Sequence, residues 1–292
     1  MIREILGDKK RQIEEELRHL LTSDNAVHDT LYNAMNYSLL AGGKRIRPAL
    51  FLMGLDMLGV TEAPYMPVAC ALECVHTYSL IHDDLPQMDN DDYRRGKLTN
   101  HKVYGAGMAT MAGDGLLTEA FRLVGEADAI SPAVRCRLVS LLARAAGPSG
   151  MVGGQSQDIE SEGKTLTLSR LQLMDRCKTG ELLTVPLDMA AAVAGASPDT
   201  GEKLHVYGVH LGQLFQITDD ILDASGTLDE MGKKPGQDSM MKKSTYLSLM
   251  GIDGARKAAE AEAGQARVIA DTFGDKGQAL RELVDFILYR EK

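Results

Sequence analysis

Apolar residues recur at helical spacing along almost the whole of this chain. Ile13, Leu17, Leu20 and Leu21 form one stripe at three-to-four spacing, and Leu31, Met35, Leu39 and Leu40 form another. Strand-like alternation is scarce. Start signals stand where helices should begin: Ser23-Asp24 before 26–40, Ser131-Pro132 before 133–145, Ser169 before 170–192, and Ser197-Pro198 before 200–222. Ala41-Gly42-Gly43, Gly59, Gly125, Gly147-Pro148 and Gly195 fall between the periodic segments as stops. The pattern predicts an all-α bundle of about ten or more helices joined by short loops. No Ser/Gly/Pro-rich linker, low-complexity tract or shift in composition divides the chain, which favours one domain over two. Gly153-Gly154 fits either a helix break or a close helix contact, and the sequence leaves both open.

Composition narrows the setting. With 292 residues and 44% apolar content the chain can bury a large core. A net charge of -9 argues against nucleic acid as a partner, yet the cations gather in islands: GGKRIRP (42–48), DDYRRGK (91–97) and MGKKPGQDSMMKK (231–243). In an acidic protein such islands read as small-anion sites. The N-terminal segment is charged throughout and lacks the apolar core of a signal peptide. No apolar run approaches the ~20 residues that cross a bilayer, so stable membrane insertion is not expected. The most apolar stretch, 182–196, is interrupted by Pro186 and Asp188 and reads as a buried helix. Cys70, Cys74, Cys136 and Cys177 show neither a CxxC pair nor zinc spacing. Cys70 and Cys74, one helical turn apart, are expected to pack as small apolar groups, which fits a reducing, cytoplasmic setting.

The candidate chemistry lies in two aspartate clusters, each ending an apolar helical segment: Asp83-Asp84 with Asp89 after HTYSLIH, and Asp219-Asp220 with Asp223 after GQLFQIT. Carboxylates crowded at an apolar helix end repel one another and cost desolvation, which bound cations offset. One such cluster alone usually reads as a solvated cap; two together point to metal. Mg²⁺ suits paired Asp oxygens, because it keeps several waters and bridges carboxylates to substrate phosphate. Asp219 and Asp223, at i, i+4, share a helix face, and two such helices facing across a bundle would make opposing walls of one cation site. Pro86 lies between Asp83 and Asp89, so the first cluster should include a frayed or bulged helix end. Arg94-Arg95 follows the first cluster, Lys233 and Lys243 follow the second, and Lys178-Thr179-Gly180 lies between. These suit the phosphate oxygens that the metal leaves uncovered. Gly42-Gly43-Lys44-Arg45-Ile46-Arg47-Pro48, before a helix expected to start near Pro48, makes a second basic pocket, hence two phosphorylated substrates. His76 stands about two turns before Asp83 on or near the same face. No EF-hand, Walker loop, Ser/His/Asp arrangement or reactive-cysteine context is present.

HTYSLIHDDLPQMDNDDYRRG (76–96) resembles the first aspartate-rich region of the trans-isoprenyl diphosphate synthases, and GQLFQITDDILD (212–223) resembles the second. GGKRIRP, KTGELL (178–183), GKKPGQD (232–238) and KKSTY (242–246) match further blocks of that family in order, so the resemblance spans nearly all of 1–292 as one polyprenyl synthase domain. It implies an all-α bundle, a homodimer, and the head-to-tail joining of an allylic diphosphate to isopentenyl diphosphate. By position, it implies that Asp83, Asp84 and Asp89 hold Mg²⁺, or alternatively Mn²⁺, from one wall, with Asp219, Asp220 and Asp223 on the other. Arg94, Lys178 and Lys233 would grip the allylic diphosphate, with Thr179 and Gln216 near its reacting end. Lys44, Arg47, His76 and Arg95 would bind isopentenyl diphosphate; Arg45 fits neither set firmly.

In the same family an aromatic residue five positions before the first Asp forms a floor that stops elongation. Tyr78, with Ser79 beside it, holds that place. The two extra residues inside Asp84-Leu85-Pro86-Gln87-Met88-Asp89 mark the bacterial and plant-like type, and with Tyr78 they favour a C15 farnesyl product made by way of geranyl diphosphate. A C20 product is the nearest alternative, and a non-catalytic subunit is the alternative of another class; a terpene cyclase would not keep the second motif intact. Lys242 stands where the family usually has glycine, and Leu98 replaces a frequent Pro. Neither removes a charge that the mechanism needs.

Overall fold

A computed structural model describes residues 1–23, 25–225 and 243–290. Its helices in chain order are α1 (Ile2–Leu20), α2 (Asp29–Leu39), α3 (Ile46–Met57), α4 (Met66–Asp83), α5 (Asn100–Tyr104), α6 (Ala106–Gly125), α7 (Pro132–Ala146), α8 (Met151–Ser161), α9 (Leu168–Asp175), α10 (Glu181–Ala194), α11 (Pro198–Ser225), α12 (Tyr246–Asp271) and α13 (Gln278–Leu288). The only strands among the described residues are β1 (Tyr93–Arg94) and β2 (Lys97–Leu98), a minimal antiparallel hairpin. The all-α class expected from periodicity is the class observed.

The centre of the bundle is built from the helices whose sequences are apolar all round. α3 buries Leu50, Phe51, Leu52 and Leu55, and α4 buries an almost unbroken run from Met66 to Val75. A helix without a polar face is stable in water only when surrounded, and each such side chain contributes roughly 1.5–3 kcal/mol by leaving solvent. α4 packs on α3 and α6, α10 packs on α3 and α11, and α11 packs on α12. The buried residues join in one continuous core. Cys70 and Cys74 are buried free thiols within it. No described helix is long and apolar enough to cross a membrane.

Several boundaries follow the capping chemistry. The Ser131 hydroxyl accepts from Val134 N–H at 3.4 Å to open α7, and Ser197 accepts from Thr200 N–H at 3.2 Å to open α11. The helix expected over 26–40 begins as a tight 3₁₀ turn, Ala26–His28, capped by Asn25, and continues as α2; Asp24 lies outside the described residues. The helix expected over 170–192 starts earlier, on a cap from Thr167, and is divided by a π-helical turn at Arg176–Gly180.

Glycines admit that wide turn. A β-carbon on Gly154 would lie 2.2 Å from the Lys178 amide nitrogen, and one on Gly212 would lie 2.7 Å from Gly180 Cα. The choice left open at Gly153-Gly154 is thereby settled for Gly154, which is a close contact inside an unbroken α8.

Candidate active site

One cavity of about 690 Å³ opens among the ends of α3, α4, α8 and α11. The aspartate clusters line it from two sides. Helix α4 ends at Asp83, and the chain then folds back, with Asp89 N–H donating to the Asp83 carbonyl at 2.9 Å. That return, across Pro86, brings Asp83 and Asp89 to the same cavity although they lack helical spacing. The bulged helix end expected from Pro86 is what forms.

Asp84 points elsewhere. Only 3% exposed, it accepts from Arg94 Nε at 2.7 Å and a terminal Arg94 nitrogen at 2.6 Å, and does not line this cavity. Burial pushes its carboxyl up to about 6 against the pull of Arg94. Burial also raises Asp83, with Lys178 opposing it. Arg94 lines the cavity, but its guanidinium is already engaged by Asp84 and, at 3.4 Å, by Asp91.

The second cluster sits on an unbroken helix, so its neighbours diverge by the pitch of α11. Asp219, Asp220 and Asp223 all line the cavity. Asp220 is nonetheless committed: one oxygen accepts from Gln216 Nε2 at 2.9 Å, the other from the Tyr246 amide at 2.8 Å. It thereby holds the first turn of α12. Gln216 in turn accepts from the Thr179 hydroxyl at 3.0 Å, which ties the π turn to the aspartates.

Lys178 and Thr179 project from that π turn. Lys178 Nζ donates to Asp158 at 2.6 Å, and Lys243 Nζ reaches the same oxygen at 3.0 Å and Asp89 at 3.5 Å. Although burial opposes it, the two ammonium groups hold Asp158 below the usual carboxylate range. Asp158 escaped the sequence reading; its one signal is a carboxylate a turn beyond the close-contact Gly154 on α8. Arg290, near the chain end, was missed as well. It pairs with Asp219, donates to Thr218 Oγ1 at 2.9 Å and the Phe215 carbonyl at 3.0 Å, and lies over the Phe215 ring with 4.1 Å to its centroid. Lys233 and Lys242 lie outside the described residues.

The second basic pocket also assembles. Lys44, Arg47, His76 and Arg95 line one end of the cavity. Arg95 adopts a left-handed backbone in the hairpin turn, and its guanidinium packs where a Gly43 side chain would be, 2.6 Å from an ideal β-carbon. That explains the glycine: the close approach is made by Arg95. Arg45, uncertain from sequence, is buried and donates to Glu73 at 2.5 Å and to the Leu39 carbonyl at 2.7 Å. Burial lowers Arg47 to about 10, with Glu73 opposing and Arg95 reinforcing the shift. Burial, then Arg47 and Arg95, hold His76 well below its ordinary value, so its ring is neutral at neutral pH. Below the aspartates, Tyr78 and Ser79 line the cavity, and the Ser79 hydroxyl donates to the His76 carbonyl at 2.8 Å.

The arrangement is two acidic walls and two separate groups of cations around one cavity. Among the described residues no three candidate ligands converge closely enough to hold a metal by themselves. An all-oxygen donor set that needs a substrate phosphate to complete it is the kind Mg²⁺ uses.

Known proteins share this architecture. The polyprenyl synthetase family profile matches residues 28–285, and the chain belongs to that family. It is 50% identical over 259 residues to a farnesyl diphosphate synthase of Geobacillus stearothermophilus, covering 88% of this chain and 86% of that protein. It is 44% identical over 288 residues to a farnesyl diphosphate synthase of Bacillus subtilis (strain 168), covering 98% and 97%. Among solved structures, a geranyltransferase from Helicobacter pylori complexed with magnesium and isoprenyl diphosphate superposes with a TM-score of 0.88 at 31% identity, covering 98% of this chain and 95% of that one.

Proposed function

We propose that this protein joins dimethylallyl and then geranyl diphosphate to isopentenyl diphosphate, releasing diphosphate and giving C15 farnesyl diphosphate. The carrying observation is that one and the same cavity is lined by Asp83 and Asp89 on one side and by Asp219 and Asp223 on the other, with a cation group on each side. The names and coverage of the relatives support the same reading.

In this reading Asp83, Asp89, Asp219 and Asp223 hold Mg²⁺ together with the allylic diphosphate. Asp84 and Asp220, which the family resemblance places in the same set, act instead by positioning Arg94 and the start of α12. Bound Mg²⁺ supplies positive charge where the diphosphate oxygens gain electrons. Lys178 and Lys243 add fixed cations at the same end, desolvated and already oriented by Asp158. Lys44, Arg47 and Arg95 bind the diphosphate of isopentenyl diphosphate; neutral His76 contributes a hydrogen bond there rather than charge. The allylic C–O bond breaks with its electron pair leaving on diphosphate, and the isopentenyl double bond attacks the resulting carbocation. A proton then passes to the departing diphosphate, which regenerates an allylic product. Holding both substrates side by side in one pocket is the chain's main contribution. The protein works as a homodimer of single-domain subunits in the cytosol, which sedimentation and cell fractionation would check.

The test is an incubation of purified protein with Mg²⁺, labelled isopentenyl diphosphate and either allylic starter, followed by dephosphorylation and sizing of the alcohols. A dominant, EDTA-sensitive C15 product is expected. A C20 product would retain the chemistry and discard Tyr78 as floor. No incorporation would favour the non-catalytic subunit.

A further inference from the structure

Tyr78 does not stand alone beneath the aspartates. One turn later on α4, the His82 ring meets the Tyr78 ring edge-on, with centroids 5.5 Å apart and planes at 89°. Both residues line the cavity. His82 Nε2 lies 3.0 Å from the Thr110 carbonyl oxygen of α6. A carbonyl only accepts, so Nε2 carries the proton and the ring is tethered to α6. The Asp114 carboxylate lies 3.8 Å from the same nitrogen.

The ring lies directly against Gly113. A β-carbon there would sit 2.2 Å from His82 Nε2 and 2.4 Å from Cδ2. Gly113 has no positive φ and lies in the middle of α6, where alanine is the better helix former. Its backbone therefore does not call for glycine; the histidine does. Gly113 sets how closely His82 approaches α6, and His82 sets the edge against which Tyr78 rests.

We propose that His82 and Gly113 are specificity-determining residues for the isoprenoid tail, acting with Tyr78 as a three-part stop. This rests on the prenyl-elongation reading given above. His82 stands nearer the aspartates than Tyr78, so its ring also forms the wall that the tail passes before reaching the floor. A ring pushed off α6 narrows that passage, and a ring removed opens space beside Tyr78.

The two substitutions at this contact therefore act in opposite directions. With full-length protein, Mg²⁺, labelled isopentenyl diphosphate and dimethylallyl diphosphate, Gly113→Ala should raise the C10 to C15 ratio about tenfold, and His82→Ala should raise the C20 to C15 ratio about tenfold. A folded Gly113→Ala or His82→Ala protein with the wild-type product distribution overturns the proposal. So does a folded variant that loses turnover without any change in product length, because that is a general structural defect. If Gly113→Ala does not fold, as judged by circular dichroism, the product length of His82→Ala decides alone. A wild-type protein that condenses nothing removes the elongation reading itself and this inference with it; that outcome is distinguished by the wild-type lane before any variant is compared.

Discussion

The two Asp-Asp pairs look alike as sequence and are built differently. At the first, the helix stops at Asp83, the chain doubles back, and the second aspartate is turned into the protein onto Arg94. At the second, α11 runs on without a break, and Asp220 is drawn aside by the Tyr246 N–H of α12 and by Gln216. The first pair thus gives the cavity Asp83 alone and turns Asp84 onto a side-chain cation, whereas both members of the second line the cavity and Asp220 also holds a helix start. A paired motif need not mean paired ligands.

Kinetics would break this comparison most directly. Asp83→Asn and Asp219→Asn should each lower kcat roughly 10³-fold, and Asp84→Asn and Asp220→Asn no more than about tenfold. Equal losses at all four positions in steady-state assays would show that both members of each pair serve the chemistry. Next in size is the cost of the helix start. Asp220→Ala leaves the Tyr246 amide without its acceptor and should lower stability by about 2 kcal/mol, read from a urea titration; a variant as stable as wild type would remove Asp220 from that role.

Acid distinguishes the pairs further. Asp84 has its folded value raised to about 6 by burial. A carboxyl raised on folding adds stability that is fully present below its unfolded value near 4 and is lost as pH rises through about 6. Wild type should therefore lose about 1 kcal/mol more than Asp84→Asn between pH 5 and 7. Parallel stability curves for the two proteins would sink the assignment. The smallest effect concerns the cation on Asp219. Arg290→Gln removes it, and with saturating inorganic diphosphate present the Mg²⁺ concentration that gives half the maximal rise in Tm should fall roughly threefold. An unchanged midpoint would mean that Arg290 and metal do not compete.

Much of this was legible in the chain itself. Ser131 and Pro132 placed the start of α7 because a cap is local chemistry, and Pro86 announced the irregular end of α4 for the same reason. Five of the six aspartates, all but Asp84, reach one cavity together with Arg47, Arg95, His76 and Lys178, as their order and charge suggested. The division of labour within each pair was not legible. Adjacent helical residues point about 100° apart, and which of them faces the cavity depends on where the helix is rotated by its packing. Asp158 and Arg290 were missed for a related reason: their partners come from elsewhere in the chain, Lys178 and Lys243 in one case and Asp219 in the other. The π turn left no periodic trace, because a single wide turn shifts the apolar stripe too little to separate from an ordinary helix.

That turn also carries a warning for protein engineering. Residues 168–194 read as one good helix interrupted by a fault, and a consensus or idealising redesign would straighten it. Deleting one residue to restore the regular ladder would swing Lys178 and Thr179 away from Asp158 and Gln216, and substituting Gly154 or Gly212 would force the same change from outside. A redesigned protein could then melt later and turn over more slowly. The irregular segment is better treated as a fixed part, copied intact with the two helices that cradle it.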